Sequence, residues 1–186
     1  MALTPLAISV LALLNERPMH PYEMVQTLLE RHEDRIVKVR PGSLYHTVER
    51  LAAAELVQAT GTERAGNRPE RTRYTITSTG QQTLTARLAE LIGSPVNEYP
   101  AFPVALSEAH NIGRAEVLDL FAARVARLQQ LIDEVDALIA SARAREVLEA
   151  YWITADYVRA MHATERDWIA HLIDRIESKD LSWPTN

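Results

Sequence analysis

Apolar positions recur with a helical period along most of this chain and with a two-residue period over one short stretch. Thr4-Pro5 reads as an N-cap with proline at the first helical position, and Leu6, Val10, Leu13 and Leu14 then predict a helix to about Asn15. Pro18 ends it. Pro21 opens a second helix with Met24, Leu28 and Leu29 as its inner face, fraying in the charged residues 30–34. Residues 36–39 read as a short extended connection. Pro41 opens a third helix to about Ala54, with Leu44, Val48 and Leu51 at i, i+4 and i+7 on one face. The period then changes. Residues 56–59 read as a strand, the polar residues 61–69 as a turn, and Thr72, Tyr74 and Ile76, alternating with Arg71, Arg73 and Thr75, as a second strand. Thr77 or Ser78 caps a fourth helix reaching about Ile92.

The remainder returns to helical spacing. Residues 93–106, with Pro95, Pro100 and Pro103, read as a linker between a unit at 1–92 and another at 107–186. Ser107 is the expected cap of a short helix up to Asn111. A long helix starts at Gly113-Arg114. In it Phe121, Val125, Leu128, Ile132, Val135 and Ile139 form a heptad seam, widened by Leu131 and Leu138. A last helix over about 146–178 carries Leu148, Trp152, Ala155, Val158, His162, Glu165, Ile169, Leu172 and Ile176 at the same spacing. Two such seams either close on each other within one chain or pair with a second copy. The expectation is a homodimer held by Phe121, Val125, Leu128, Ile132, Val135, Ile139, Ile169, Leu172 and Ile176.

Composition narrows the class. A hydrophobic share of 47% over 186 residues supports a real core, and few aromatics with six glycines argue against an all-β fold. The absence of cysteine excludes disulfides, iron–sulfur clusters and thiolate zinc sites. Residues 6–14 have neither the basic flank nor the cleavage site of a signal peptide, and no run approaches the roughly 18 apolar residues of a membrane span. A cytoplasmic protein is expected. The net charge of −5 is unevenly spread: residues 1–93 carry +1 and residues 94–186 carry −6. Residues 35–73 hold 8 basic against 4 acidic side chains, around the third helix and the hairpin.

That charge changes the meaning of the third helix. Ser43, His46, Thr47 and Arg50 lie opposite its apolar face, a set suited to base edges and phosphates in a DNA major groove. Arg50 either grips a guanine in bidentate fashion or pairs with Glu49 or Glu23. Tyr45 and Tyr22 either reach phosphates or pin the second helix to the third. Lys38 and Arg40 are expected phosphate contacts. Arg64, Arg68, Arg71 and Arg73 make the hairpin a basic wing for backbone and minor groove, unless they only solubilise it. The expected fold is mainly α: a winged helix-turn-helix with a two-stranded wing, then a long-helix domain for dimerisation. Trp152 and Trp168 either line an aromatic effector pocket or pack the core. His162 and Glu165 stand at i, i+3, a spacing found in di-iron proteins, but without a partner set. No metal and no cofactor are expected. No phosphate loop, nucleophile elbow or Ser/His/Asp pattern suggests an enzyme.

Several segments together resemble the PadR family of bacterial transcriptional regulators. They are Thr4-Pro5-Leu6-Ala7-Ile8, His20-Pro21-Tyr22-Glu23, Pro41-Gly42-Ser43-Leu44-Tyr45, residues 51–57, and Arg71-Thr72-Arg73-Tyr74-Thr75-Ile76-Thr77-Ser78-Thr79-Gly80. The match runs from Leu3 to about Leu84, and the helical second half is similar to the longer subfamily. His46 stands where the family often has proline, and Arg71-Thr72-Arg73-Tyr74 where it often has Arg-Lys-Tyr-Tyr. The resemblance implies a homodimeric repressor on an inverted-repeat operator in double-stranded DNA, released by a small aromatic or hydrophobic effector. An activator of the same fold and a winged-helix protein-interaction module remain the alternatives.

Overall fold

The computed structural model describes residues 3–63 and 71–184. The chain divides into two compact units, Met1–Glu98 and Tyr99–Asn186, each with its own core.

In the first unit, α1 (Pro5–Glu16), α2 (Pro21–Glu30) and α3 (Pro41–Ala53) precede an antiparallel hairpin of β1 (Val57–Glu63) and β2 (Arg71–Ile76), and α4 (Ser78–Gly93) closes it. All of the first three helices start at a proline, whose missing N–H falls in the turn where no helical acceptor exists. A 3-10 turn, Glu33–Arg35, joins α2 to α3. Leu11, Leu14, Met24, Leu28, Leu44, Val48 and Leu51 interlock in the core, with Val57 and Leu84 sealing it. Glu55, in the left-handed region at φ 58°, ends α3. The Leu56 N–H there donates back to the Leu51 carbonyl at 3.0 Å, a closure that turns the chain from helix into strand.

The wing is tied down at its base. Met19 and Tyr74 exchange both backbone hydrogen bonds, at 3.1 and 3.0 Å, so the turn between α1 and α2 extends the sheet. An isolated two-stranded hairpin is marginal in water, and this extra pairing supports it. Thr77 Oγ1 accepts from the Gly80 N–H at 3.0 Å and donates to the Glu55 carbonyl at 2.8 Å. A Cβ at Gly80 would stand 2.1 Å from the Leu56 carbonyl oxygen, so glycine is what lets α4 approach the start of β1.

The second unit holds α5 (Ala101–Ser107), a 3-10 turn at Ala109–Asn111, α6 (Arg114–Ala144), another at Glu149–Tyr151, and α7 (Ile153–Glu177). The sequence reading differs here in three places. First, α5 occupies part of the expected linker: Pro100 precedes the helix and Pro103 sits in its first turn, where a missing N–H costs nothing. Ser107 ends α5, its hydroxyl donating to the Val104 carbonyl at 2.8 Å, instead of capping a later helix. Second, α7 starts at Ile153, not near residue 146. Glu146 adopts φ 55° and the Val147 N–H closes on the Ala142 carbonyl at 3.0 Å, which breaks the helix. Leu148 and Trp152 therefore lie in the connecting turn.

Third, the seam assigned to dimerisation is used inside the chain. Phe121, Leu128, Ile132, Val135 and Ile139 of α6 and Ile169, Leu172 and Ile176 of α7 are buried in a single copy, and Val125 is half-buried. The two helices run antiparallel, as the Arg124–Glu165, Arg166–Gln129 and Arg159–Asp136 contacts, each 2.5 Å, establish. Closing one seam on the other through a short turn needs no second copy. The polar rungs are exposed to solvent screening and set register more than stability. At the open end, the Arg114 guanidinium donates to the Ile176 carbonyl at 3.1 Å, and the Trp183 indole to the Ile112 carbonyl at 2.9 Å.

Candidate nucleic-acid interface

Helix α3 turns Leu44, Val48 and Leu51 inward because the rest of the first unit offers apolar surface on that side only. Its other face is open: Ser43, Tyr45, His46, Glu49 and Arg50 are exposed. Lys38 and Arg40, just ahead of the helix, are exposed as well. Thr47 is a correction. It is only 7% exposed, and its hydroxyl donates to the Ser43 carbonyl at 2.7 Å. It lies on the flank of the apolar face, where back-bonding to the preceding turn satisfies it, so it presents no group to a groove.

Arg50 takes neither of the carboxylates considered for it. Glu23 is engaged by Arg17 at 2.5 Å, and Glu49 lies 3.6 Å from the His46 ring. Arg50 is thus an exposed guanidinium on the outward face of α3. Tyr45 and Tyr22 both leave their rings substantially exposed, Tyr22 at 55%.

The wing divides the four arginines. Arg64 and Arg68 lie outside the described residues. Arg71 pairs in register with Glu63 at the open end of the hairpin. Arg73 is half-buried at the tied-down end, beside the Met19–Tyr74 pairing, and its charge is felt at Glu23. Burial alone would push the Glu23 carboxyl up. The Arg17 hydrogen bond and charge, the His20 N–H and the Arg73 charge outweigh it and hold Glu23 below its ordinary value. Glu16 is held low by its hydrogen bonds to Arg31, at 2.6 and 2.7 Å. Glu33 goes the other way: burial pushes it up, against a hydrogen bond from Ser9 and the charge of Arg31.

The two tryptophans are not brought together. Trp152 closes the turn before α7, its indole donating to the Val147 carbonyl at 3.2 Å with Arg143 over the ring. Trp168 stands 51% exposed on α7, about 24 Å further along at helical rise. Glu165 is engaged by Arg124, which leaves the His162–Glu165 pair no metal-like geometry. Among the described residues, no cluster of His, Asp and Glu could hold a metal ion, and no helix is long and apolar enough to cross a membrane.

One surface escaped the sequence reading. Ile153, Tyr157, Met161 and Trp168 are all exposed along one side of α7, beside the buried seam. Their spacing of 4, 4 and 7 was legible as a second apolar stripe, but the stronger heptad seam next to it on the same helix masked it.

Three helices, a tied hairpin and an open polar face on the third helix, with Lys38 and Arg40 ahead of it, define a winged helix-turn-helix module. Residues 10–86 match the model of the transcriptional regulator PadR-like family, so this part of the chain carries a PadR-like domain. Solved structures share the fold over nearly its whole length. Bacillus subtilis PadR in complex with operator DNA is 16% identical, with a TM-score of 0.77 over 92% of this chain and 97% of that one. The same protein in complex with p-coumaric acid gives 0.74 at 14% identity, over 92% and 98%. The Vibrio cholerae virulence activator AphA gives 0.68 at 15% identity, over 94% and 99%. Comparison with curated protein sequences finds no match.

Proposed function

We propose that this chain is a cytoplasmic homodimeric repressor that binds an inverted-repeat operator and releases it when a small aromatic or hydrophobic effector binds. The observation that carries the reading is the outward face of α3, where Arg50 is an exposed cation while Glu23 is engaged by Arg17. Ser43, Tyr45, His46, Arg50 and the flanking Lys38 and Arg40 are the proposed DNA contacts, with Tyr22 at the backbone and Arg64, Arg68 and Arg71 along the wing. Thr47 is not among them. The Bacillus subtilis relative with operator DNA supports the partner, and the one with p-coumaric acid supports a planar effector.

Two-fold pairing would set two copies of α3 in successive major grooves, about 34–36 Å apart or a multiple of that. The exposed stripe of α7, from Ile153 to Trp168, is the proposed pairing surface in place of the buried seam. Selection from randomised duplex DNA tests the reading. The expected product is a two-fold symmetric site whose binding weakens with salt. No enrichment, or a shift insensitive to salt, would favour the protein-interaction module instead. AphA is an activator, so the sign of regulation needs its own measurement: a reporter fusion in a deletion strain should rise for a repressor and fall for an activator.

A further inference from the structure

Helix α3 carries one charged side chain that none of the DNA contacts proposed above uses. The buried side of the helix is Leu44, Thr47, Val48 and Leu51. At 3.6 residues per turn, the meridian opposite that arc runs between His46 and Glu49, about 30° from each and about 70° from Arg50. Gly42, His46, Glu49 and Ala53, at i, i+4, i+7 and i+11, are all exposed along it. Glu49 therefore stands in the middle of the face that would enter the groove. Its carboxylate is open. The His46 Nδ1 lies 3.6 Å from one of its oxygens, beyond hydrogen-bond reach, and the two side chains are 72% and 73% exposed. A carboxylate accepts at about four lone-pair sites, so the His46 contact leaves room for a donor.

An anion in that place opposes binding unless a base meets it. The major groove is walled by phosphates, and a carboxylate carried between them is repelled by both strands. The group that suits it is the exocyclic amino group of cytosine, N4–H2. Adenine sets the N7 acceptor beside its amino group, guanine offers only acceptors on that edge, and thymine offers an acceptor and a methyl group. We propose that Glu49 is a specificity-determining residue: its carboxylate accepts a hydrogen bond from one cytosine N4 amino group in each half-site and disfavours the other three bases there. This inference rests on the DNA-binding reading above and deepens it. Lys38 and Arg40 favour any duplex, whereas Glu49 disfavours every duplex that lacks its base, which is how a repulsive group contributes to discrimination.

Selection from randomised duplex DNA, run in parallel with the wild-type chain, Glu49→Gln and Glu49→Ala, tests the assignment. The wild-type chain should enrich a cytosine at one position of each half-site. Glu49→Gln, whose amide suits adenine N6 and N7, should move that position to adenine, and Glu49→Ala should leave it unselective. Titration against duplexes varied at that position alone gives the size. The wild-type chain should prefer cytosine there by about tenfold, and Glu49→Ala by less than about twofold. At 73% exposure neither substitution reaches the core, so all three proteins should share one thermal midpoint. The same sequence preference in all three proteins overturns the proposal. So does a Glu49→Ala affinity raised alike on every duplex, which would make Glu49 a neighbour of the phosphates and not of a base. A wild-type chain that enriches no duplex removes the DNA-binding reading and this assignment with it, whereas wild-type enrichment with the variants unchanged removes the assignment alone.

Discussion

Arg50 and Thr47 sit three residues apart on α3 and have opposite fates. Spacing alone put both on the polar side, because a helical projection assigns Thr47 an angle but cannot say how far the neighbouring helices wrap around it. Packing carries the buried arc past Thr47, and its hydroxyl turns back to the Ser43 carbonyl. Arg50 and His46 stay outside that arc, so their exposure was legible. Arg50→Ala should cost about 1–3 kcal/mol of operator affinity and relax preference at one base pair, read by titration against single-base operator variants. Thr47→Val, of nearly equal volume, should leave affinity within error in the same titration. If Thr47→Val loses specificity, the reading helix is rotated from the orientation described.

At the scale of elements, the first unit was readable almost throughout, since prolines and a change of period mark its borders. The second misled where a local signal had two structural solutions. Pro100 and Pro103 break a helix interior but fit its start, so α5 could pass for linker. Leu148 and Trp152 keep the spacing of α7, yet the left-handed Glu146 removes them from it. Electrostatics within the first unit give a testable pH dependence. Glu16 and Glu23 are held low in the folded chain, so their stabilisation is present above the ordinary glutamate range and lost as pH falls through their folded values. Glu33 is raised, so its contribution is present in acid and lost as pH rises through its folded value. Glu33→Gln should therefore raise the urea midpoint at neutral pH, and its advantage should shrink on acidification. An advantage that grew in acid would mean Glu33 is stabilised as the anion.

At the scale of the molecule, heptad spacing predicted a seam correctly but was silent on which chain fills it. Ile132 and Ile139 are spent within one copy, while Tyr157 stands 64% exposed on α7, outside its buried seam. The two surfaces separate by mutation. Tyr157→Glu with Trp168→Glu should shift the protein from dimer to monomer in sedimentation velocity while the thermal midpoint of the monomer holds. Ile132→Ala should cost about 2–5 kcal/mol of stability without a change of partner preference. Dissociation by Ile132→Ala alone, with the double glutamate variant still dimeric, would return the interface to the seam.

The Trp183–Ile112 hydrogen bond has a kinetic meaning. It joins residues 71 apart, whereas the Arg159–Asp136 rung near the turn spans only 23. Contacts near the shared turn close at lower entropic cost than the distant strap, which is therefore expected to form last. Truncation after Asp180 should accordingly steepen the loss of the folded state by faster unfolding, with the refolding arm of a chevron unmoved. A slower refolding arm would place the chain's last aromatic residue in the folding nucleus.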